Sequence, residues 1–271
     1  MNNVDNMVKA SEIVAKTRKV NRPTSLAFIK EICEEFIQLH GDRHFSDDKA
    51  IVGGIGRIGG RSVTIVGIQK GNSIQDNIKR NFGQPNPEGY RKALRLMKQA
   101  EKFNRPVLTF INTSGAYPGL GAEERGQGEA IARMLFESAG LRVPIISIFI
   151  GEGGSGGAIA LAAGDRVWML DNGMYAVLSP EGFASILWRD ASRTDEAAEL
   201  MKLTAKDLLA NGVIDRIIPE AEEGIENNLK FTTDILKANI ISELNELCEI
   251  SKEELINRRY NRFRKYGEFK E

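Results

Sequence analysis

The chain has 271 residues, 37 Lys+Arg against 37 Asp+Glu, two His and two Cys. A net charge of zero lacks the basic excess that bulk nucleic-acid binding needs, and the longest charge-free apolar stretches, Val143 to Ile150 and Ala158 to Ala163, fall far short of the ~20 residues of a bilayer helix. Cys33 and Cys248 belong to no CxxC pair, which argues against a disulfide framework and a Cys-based zinc site, while Met1 to Ala10 has no apolar core and predicts no signal peptide, leaving a cytoplasmic protein as the expectation.

Residues 1–24 are polar and weakly patterned, ending at Arg22-Pro23-Thr24, and are expected to form a separate N-terminal segment ahead of one domain over 25–271. Phe28, Ile29, Ile32, Cys33, Phe36 and Leu39 fall at i, i+3, i+4 spacing and predict a helix. Ala50 to Ile58 and Arg61 to Lys70 read as strands joined at Gly59-Gly60, followed by a polar loop over Gly71 to Asn86. Pro87 to Phe103 predicts a helix with Tyr90, Leu94, Met97 and Ala100 on one face.

Pro106 to Asn112 and Val143 to Ile150 read as apolar strands, separated by a helix over Glu123 to Ala139. A short helix of small residues follows over Ser155 to Ala163. Arg166 to Leu170, Tyr175 to Leu178 and Val213 to Ile218 are strand-like, with helices over Pro180 to Trp188 and Thr194 to Asn211 between them. Residues 221–266 predict a C-terminal helical extension that grows basic at Arg258, Arg259, Arg262 and Arg264, read as a solvated helix face or a partner surface. Apolar strands alternating with helices imply an α/β core around a largely parallel, buried sheet.

Gly54-Ile55-Gly56-Arg57-Ile58-Gly59 matches G-x-G-x-x-G, but a strand follows it where a dinucleotide site needs a helix N-terminus, so it reads as a glycine-rich hairpin. Gly153-Gly154-Ser155-Gly156-Gly157 matches G-x-S-x-G between a strand and a helix, yet no His follows Ser155; His40 and His44 both lie far upstream. Two readings of Gly151 to Gly157 stay open. Either the backbone N–H groups at the start of the helix form a donor pair for an oxyanion, or the glycines serve tight strand–helix packing without a ligand. A second glycine loop, Thr113-Ser114-Gly115-Ala116-Tyr117-Pro118-Gly119, also follows a strand, so both loops are placed to converge on one cleft. Glu123 and Glu124 open the next helix, where acidic residues favour the N-terminus.

Four stretches together carry a family resemblance. They are Gly83 to Met97, Gly115 to Gly119 with Gly121 to Gln127, Gly151 to Gly157, and Ser179-Pro180-Glu181-Gly182 with Ala184 to Trp188. In this order they resemble the carboxyltransferase alpha subunit of bacterial acetyl-CoA carboxylase, over about Arg22 to Tyr266. The resemblance implies a crotonase-type (ClpP/crotonase) β-β-α superhelix with flanking N- and C-terminal helices. It also implies assembly with a zinc-binding beta subunit into an α2β2 carboxyltransferase. The implied reaction moves the carboxyl group of carboxybiotin, held on a separate biotin carboxyl carrier protein charged by biotin carboxylase, onto acetyl-CoA. Malonyl-CoA forms, in the first committed step of fatty acid biosynthesis.

The family's biotin-side oxyanion donors correspond to the backbone amides of Gly156 and Gly157. The surrounding biotin loop corresponds to Gly115, Ala116, Tyr117 and Gly119 with Gly153, Gly154 and Ser155. No metal is implied for this chain, and it carries no Met-Lys-Met biotinylation site. Ser114 stands where the family commonly has Pro. A stand-alone crotonase-type hydratase, isomerase or hydrolase using Glu123 or Glu124 as acid and base is the alternative enzyme reading. A non-catalytic scaffold is the alternative outside enzymes.

Overall fold

The apolar strands β4 (Val107–Thr113) and β5 (Ile145–Gly154) are buried along their whole lengths and form the centre of the sheet. The computed structural model describes residues 8–267; the outer parts of the expected N-terminal segment and of the 25–271 domain, 1–7 and 268–271, lie outside the described residues. Among the described residues the sheet has eight strands. Six further strands join β4 and β5: β1 (Glu35–Gln38), β2 (Ile51–Ile58), β3 (Arg61–Ile68), β6 (Arg166–Leu170), β7 (Met174–Ala176) and β8 (Arg216–Ile218). Their order is β1-β2-β3-β4-β5-β6-β8, with β7 paired to the far end of β5. β1, β2 and β3 are antiparallel, and from β3 onward the sheet is parallel. The G-x-G-x-x-G run lies in β2 and the turn to β3, so the hairpin reading holds.

Helices cover both faces, as a parallel sheet requires. On one side lie α4 (Pro87–Lys102), α6 (Gln127–Ala139), α7 (Ser155–Ile159) and α10 (Ala205–Ala210), meeting Ile145 and Phe149 of β5. On the other side α2 (Ser25–Ile32), α11 (Leu229–Leu247) and α12 (Lys252–Arg264) meet Ile146, Ile148 and Ile150. This alternation along one strand is the period-2 geometry that gives each layer its own core. The remaining helices, α1 (Ala10–Thr17), α3 (Ile74–Lys79), α5 (Leu120–Glu124), α8 (Pro180–Trp188) and α9 (Thr194–Leu200), lie around the edges.

Several elements differ from the sequence expectation, each for a local reason. The polar N-terminal segment contains α1, whose Ala10 and Val14 join Met174, Ala198 and Leu203 in a small third core. The helix expected through Leu39 stops at Ile32, because Cys33 is extended and the Glu34 amide donates to the Arg57 carbonyl (2.9 Å), starting the β1–β2 ladder. Residues 71–86, expected as loop, hold α3, capped by Ser73 accepting from the Asp76 amide. The helix expected over 123–139 is two, broken where Gly126 takes φ 82°. The one expected over 194–211 is also two. Lys202 at φ 51° and buried Leu203 interrupt it, and Thr204 caps α10 by accepting from the Asp207 amide.

The basic C-terminal run is not simply a solvated face. Arg258 pairs with Glu254 in solvent, but Arg259 is 1% exposed and bonds both oxygens of Asp165, at 2.9 and 2.7 Å. Arg259 also donates to the carbonyls of Ser138, Leu141 and Val143, so one side chain fastens α12 to the end of α6 and the start of β5. Removing one member of such a pair strands a buried charge. Arg259→Ala should therefore destabilise the fold by about 3–5 kcal/mol, measured by urea unfolding. The double variant Arg259→Met with Asp165→Leu should recover much of that loss.

Candidate functional site

The site begins with a fault in the β4–β5 ladder. Ile111 pairs with Phe149, but the next pair is Thr113 with Gly153, so Ile150, Gly151 and Glu152 lie opposite Asn112 alone. Such a bulge turns a strand end. The Asn112 side chain fills the gap by accepting from the Glu152 amide (3.2 Å). The expected strand thus continues through Gly154 before turning into α7, which is shorter than the helix expected through Ala163.

Beyond the bulge the two glycine loops meet backbone to backbone. A Cβ on Gly154 would lie 2.2 Å from the Ser114 carbonyl oxygen, and one on Gly157 would lie 2.4 Å from the Ala116 nitrogen. Only residues without a Cβ allow this approach. Gly115, Ala116, Gly153, Gly154 and Gly157 therefore lie together, while Tyr117 and Ser155 are exposed at the rim. Gly119 is shaped by its own loop, packing beneath the Tyr117 ring. The loop 113–119 is tied down on both sides: the Tyr117 amide donates to the Pro85 carbonyl (3.0 Å), and Gln127 bridges Pro85 and Tyr117. Ser114 accepts from Gln84 (3.1 Å), a contact that proline at this position could not make.

Gly156 is the open member of the set; a Cβ there would touch only Ile131, at 3.9 Å. It opens onto a groove of about 310 Å³ whose walls are Ile159, Tyr175, Val177 and Leu208. Among the described residues, no side chain or loop carbonyl accepts from the Gly156 or Gly157 amides, which at the start of a helix have no partner one turn back. Burial pushes the Tyr175 phenol up to about 12, so this wall stays neutral. Ser155 takes φ 54°, the strained turn of a nucleophile elbow. It has no imidazole beside it, since His40 pairs with Asp47 (3.2 Å) within the β1–β2 connection. Glu123 and Glu124 are exposed on α5.

Sequence reasoning did not find the framework behind these glycines. Glu152, buried in the bulge, accepts from Arg18 (2.9 and 3.1 Å) and lies 3.4 Å from the Lys70 ammonium. Arg18 reaches on to Glu181 at the start of α8 (2.7 Å), joining two of the motif stretches to the N-terminal segment. Burial holds Lys70 below the usual lysine range, with Glu152 opposing it. On the opposite side the phenol of Tyr90 donates to the Gly157 carbonyl (3.3 Å). Charge patterning could have suggested the pairings of Arg18, but nothing in the spacing of Tyr90 announces its partner. Among the described residues, no three of His, Cys, Asp and Glu gather as a metal-binding group, and no helix is long and apolar enough to cross a membrane.

The chain resembles known proteins along its length. The family model described as acetyl co-enzyme A carboxylase carboxyltransferase-like matches residues 2–267. The acetyl-coenzyme A carboxylase carboxyl transferase subunit alpha of Streptococcus thermophilus is 61% identical over 263 residues, covering 96% of this chain and 100% of that protein. Its Streptococcus gordonii counterpart is 62% identical over 260 residues, with the same coverage. Among solved structures, transcarboxylase 12S superposes with a TM-score of 0.69 at 19% identity, covering 88% of this chain and 44% of that one, so the chain spans less than half of it. A Pseudomonas malonate decarboxylase hetero-tetramer gives 0.66 at 15% identity, covering 80% and 88%. The fold is thus the crotonase-type fold of the carboxyltransferases.

The two helical glycines differ in what they tolerate. Gly157→Ala must push the Gly115-Ala116 backbone away and should cost about 1–3 kcal/mol of stability, as overpacking does. Gly156→Ala has room and gains helix propensity, so it should be neutral or stabilising by up to about 1 kcal/mol. Chemical unfolding of the two variants side by side checks this contrast.

Proposed function

The chain belongs to the family of acetyl-CoA carboxylase carboxyltransferase alpha subunits, and from that premise we propose that it forms the biotin side of the carboxyl transfer that makes malonyl-CoA from acetyl-CoA. The observation that carries this reading is the pair of unengaged amides at Gly156 and Gly157, held against a second glycine loop, with Gly156 lining an apolar groove. A ureido ring system suits such a groove: apolar edges for Ile159 and Tyr175, and one oxygen for the donors. Carboxybiotin, when bound, supplies the carboxyl group and afterwards a basic nitrogen.

The chain's own part is electrostatic. Two fixed N–H groups aimed at an oxygen that gains negative charge lower the barrier, and removing one such donor typically costs about 10²–10³ in kcat. Neutral Tyr175 adds no competing charge. No histidine or cysteine is needed, and His40 and His44 are engaged or placed elsewhere.

In this proposal the acyl-CoA side comes from a zinc-binding beta subunit in an α2β2 assembly. Biotin arrives on the separate carrier protein, charged by biotin carboxylase, in the cytoplasm. A stand-alone hydratase or hydrolase would need a positioned acid or base, and exposed Glu123 and Glu124 face no partner in the groove.

Purified alone, the chain should not decarboxylate malonyl-CoA in the presence of free biotin; with the beta subunit added, it should. Full activity without the partner would contradict a shared site. In the complex, Gly157→Val should lower kcat by about 10²–10³ while the subunits still co-elute. An unchanged kcat would remove Gly157 from the site.

A further inference from the structure

We infer that Tyr90 is a positioning residue for the Gly156–Gly157 amide pair, holding the peptide that follows Gly157 through a hydrogen bond from its phenol to the Gly157 carbonyl. The inference rests on the reading of those amides as the biotin-side donors.

Consecutive glycines have broad conformational freedom, so a donor pair built from them must be held from outside. Local hydrogen bonding leaves the Gly157 carbonyl free. At the end of α7 the Ala160 amide donates to Gly156 and the Leu161 amide donates to Ala158, so the main chain passes over Gly157. A buried carbonyl without a donor is costly, and the phenol of Tyr90 supplies one at 3.3 Å. Tyr90 is itself fixed. It is 0% exposed, on the inner face of α4 between Glu88 and Ala93, which are also buried. Burial, with the Asp48 carboxylate nearby, pushes its pKa far up, so it remains a neutral donor throughout the working range.

The geometry divides the labour. The Gly115-Ala116 backbone presses on the Cα side of Gly157 (a Cβ there would lie 2.6 Å from the Gly115 carbonyl carbon), and Tyr90 grips the carbonyl. The Gly156 carbonyl is held by the Ala160 amide (3.2 Å), and its peptide unit carries the Gly157 N–H, so the Ala160 and Tyr90 bonds fix the peptides on the two sides of the Gly157 Cα. Tyr90 touches neither the groove nor any reacting atom. It acts only through Gly157.

The test uses the complex with the beta subunit, assayed by malonyl-CoA decarboxylation with free biotin. Tyr90→Phe removes one oxygen and keeps the packing, while Tyr90→Met removes the oxygen and changes the packing. Both variants should lose about tenfold in kcat, the scale of one hydrogen bond, with KM for malonyl-CoA unchanged. A Phe variant as fast as wild type, or a loss confined to Met, would give Tyr90 a packing role and overturn the inference alone. A wild-type complex with no biotin-dependent decarboxylation would instead overturn the reading of the glycines, and the inference with it.

Discussion

At Gly154 and Gly157 one stretch of backbone packs directly on another, and the rest of the site depends on that contact. Two parallel strands can bring their following loops to one edge of a sheet, but side chains would normally keep those loops apart. Here the distances to Ser114 and Ala116 leave no space for a Cβ. The loops therefore behave as one body, and Gly156, next to the contact, lines the groove, so donors held there would not have to reorganise when charge appears.

Buried ionic contacts surround this body and bind distant parts of the chain to it. Glu152 draws Arg18 and Lys70 to the back of the bulge, and Arg22 with Glu220, each 3% exposed at its side chain, closes the next layer. Asp165 and Arg259 fasten the C-terminal helix under β5. Such pairs add little net stability against an apolar substitute, but leaving one member alone is expensive. Their effect is to make one arrangement of α1, α12 and the sheet far better than its neighbours.

Much of this was legible in the sequence because the signals are strong and local. Short, Ile-rich runs such as Ile145–Ile150 read as buried strands from their length and β-branched content, and the glycine clusters after them mark where the chain turns sharply. The hairpin over Gly54–Gly59 followed from what came after it, a strand instead of a helix. The misreadings share a different cause. Phe36 and Leu39 fit a helical period, but pairing with β2 decided their conformation; Arg259 looked solvated because its partner, Asp165, lies 94 residues away. The contacts of Asn112, Glu152 and Tyr90 are set by long-range placement that no local pattern encodes. The roles proposed for Gly156 and Gly157 came from resemblance, since glycine spacing alone left simple packing as an equal reading.

The central claim is that main-chain nitrogens carry the chemistry of this subunit. A crystal structure of the complex of this chain and its beta subunit with biotin tests it most directly. The account predicts the ureido oxygen about 2.7–3.1 Å from the nitrogens of Gly156 and Gly157, with the rings against Ile159 and Tyr175. Biotin bound with that oxygen on a side chain, and both amides turned away from it, would contradict the account.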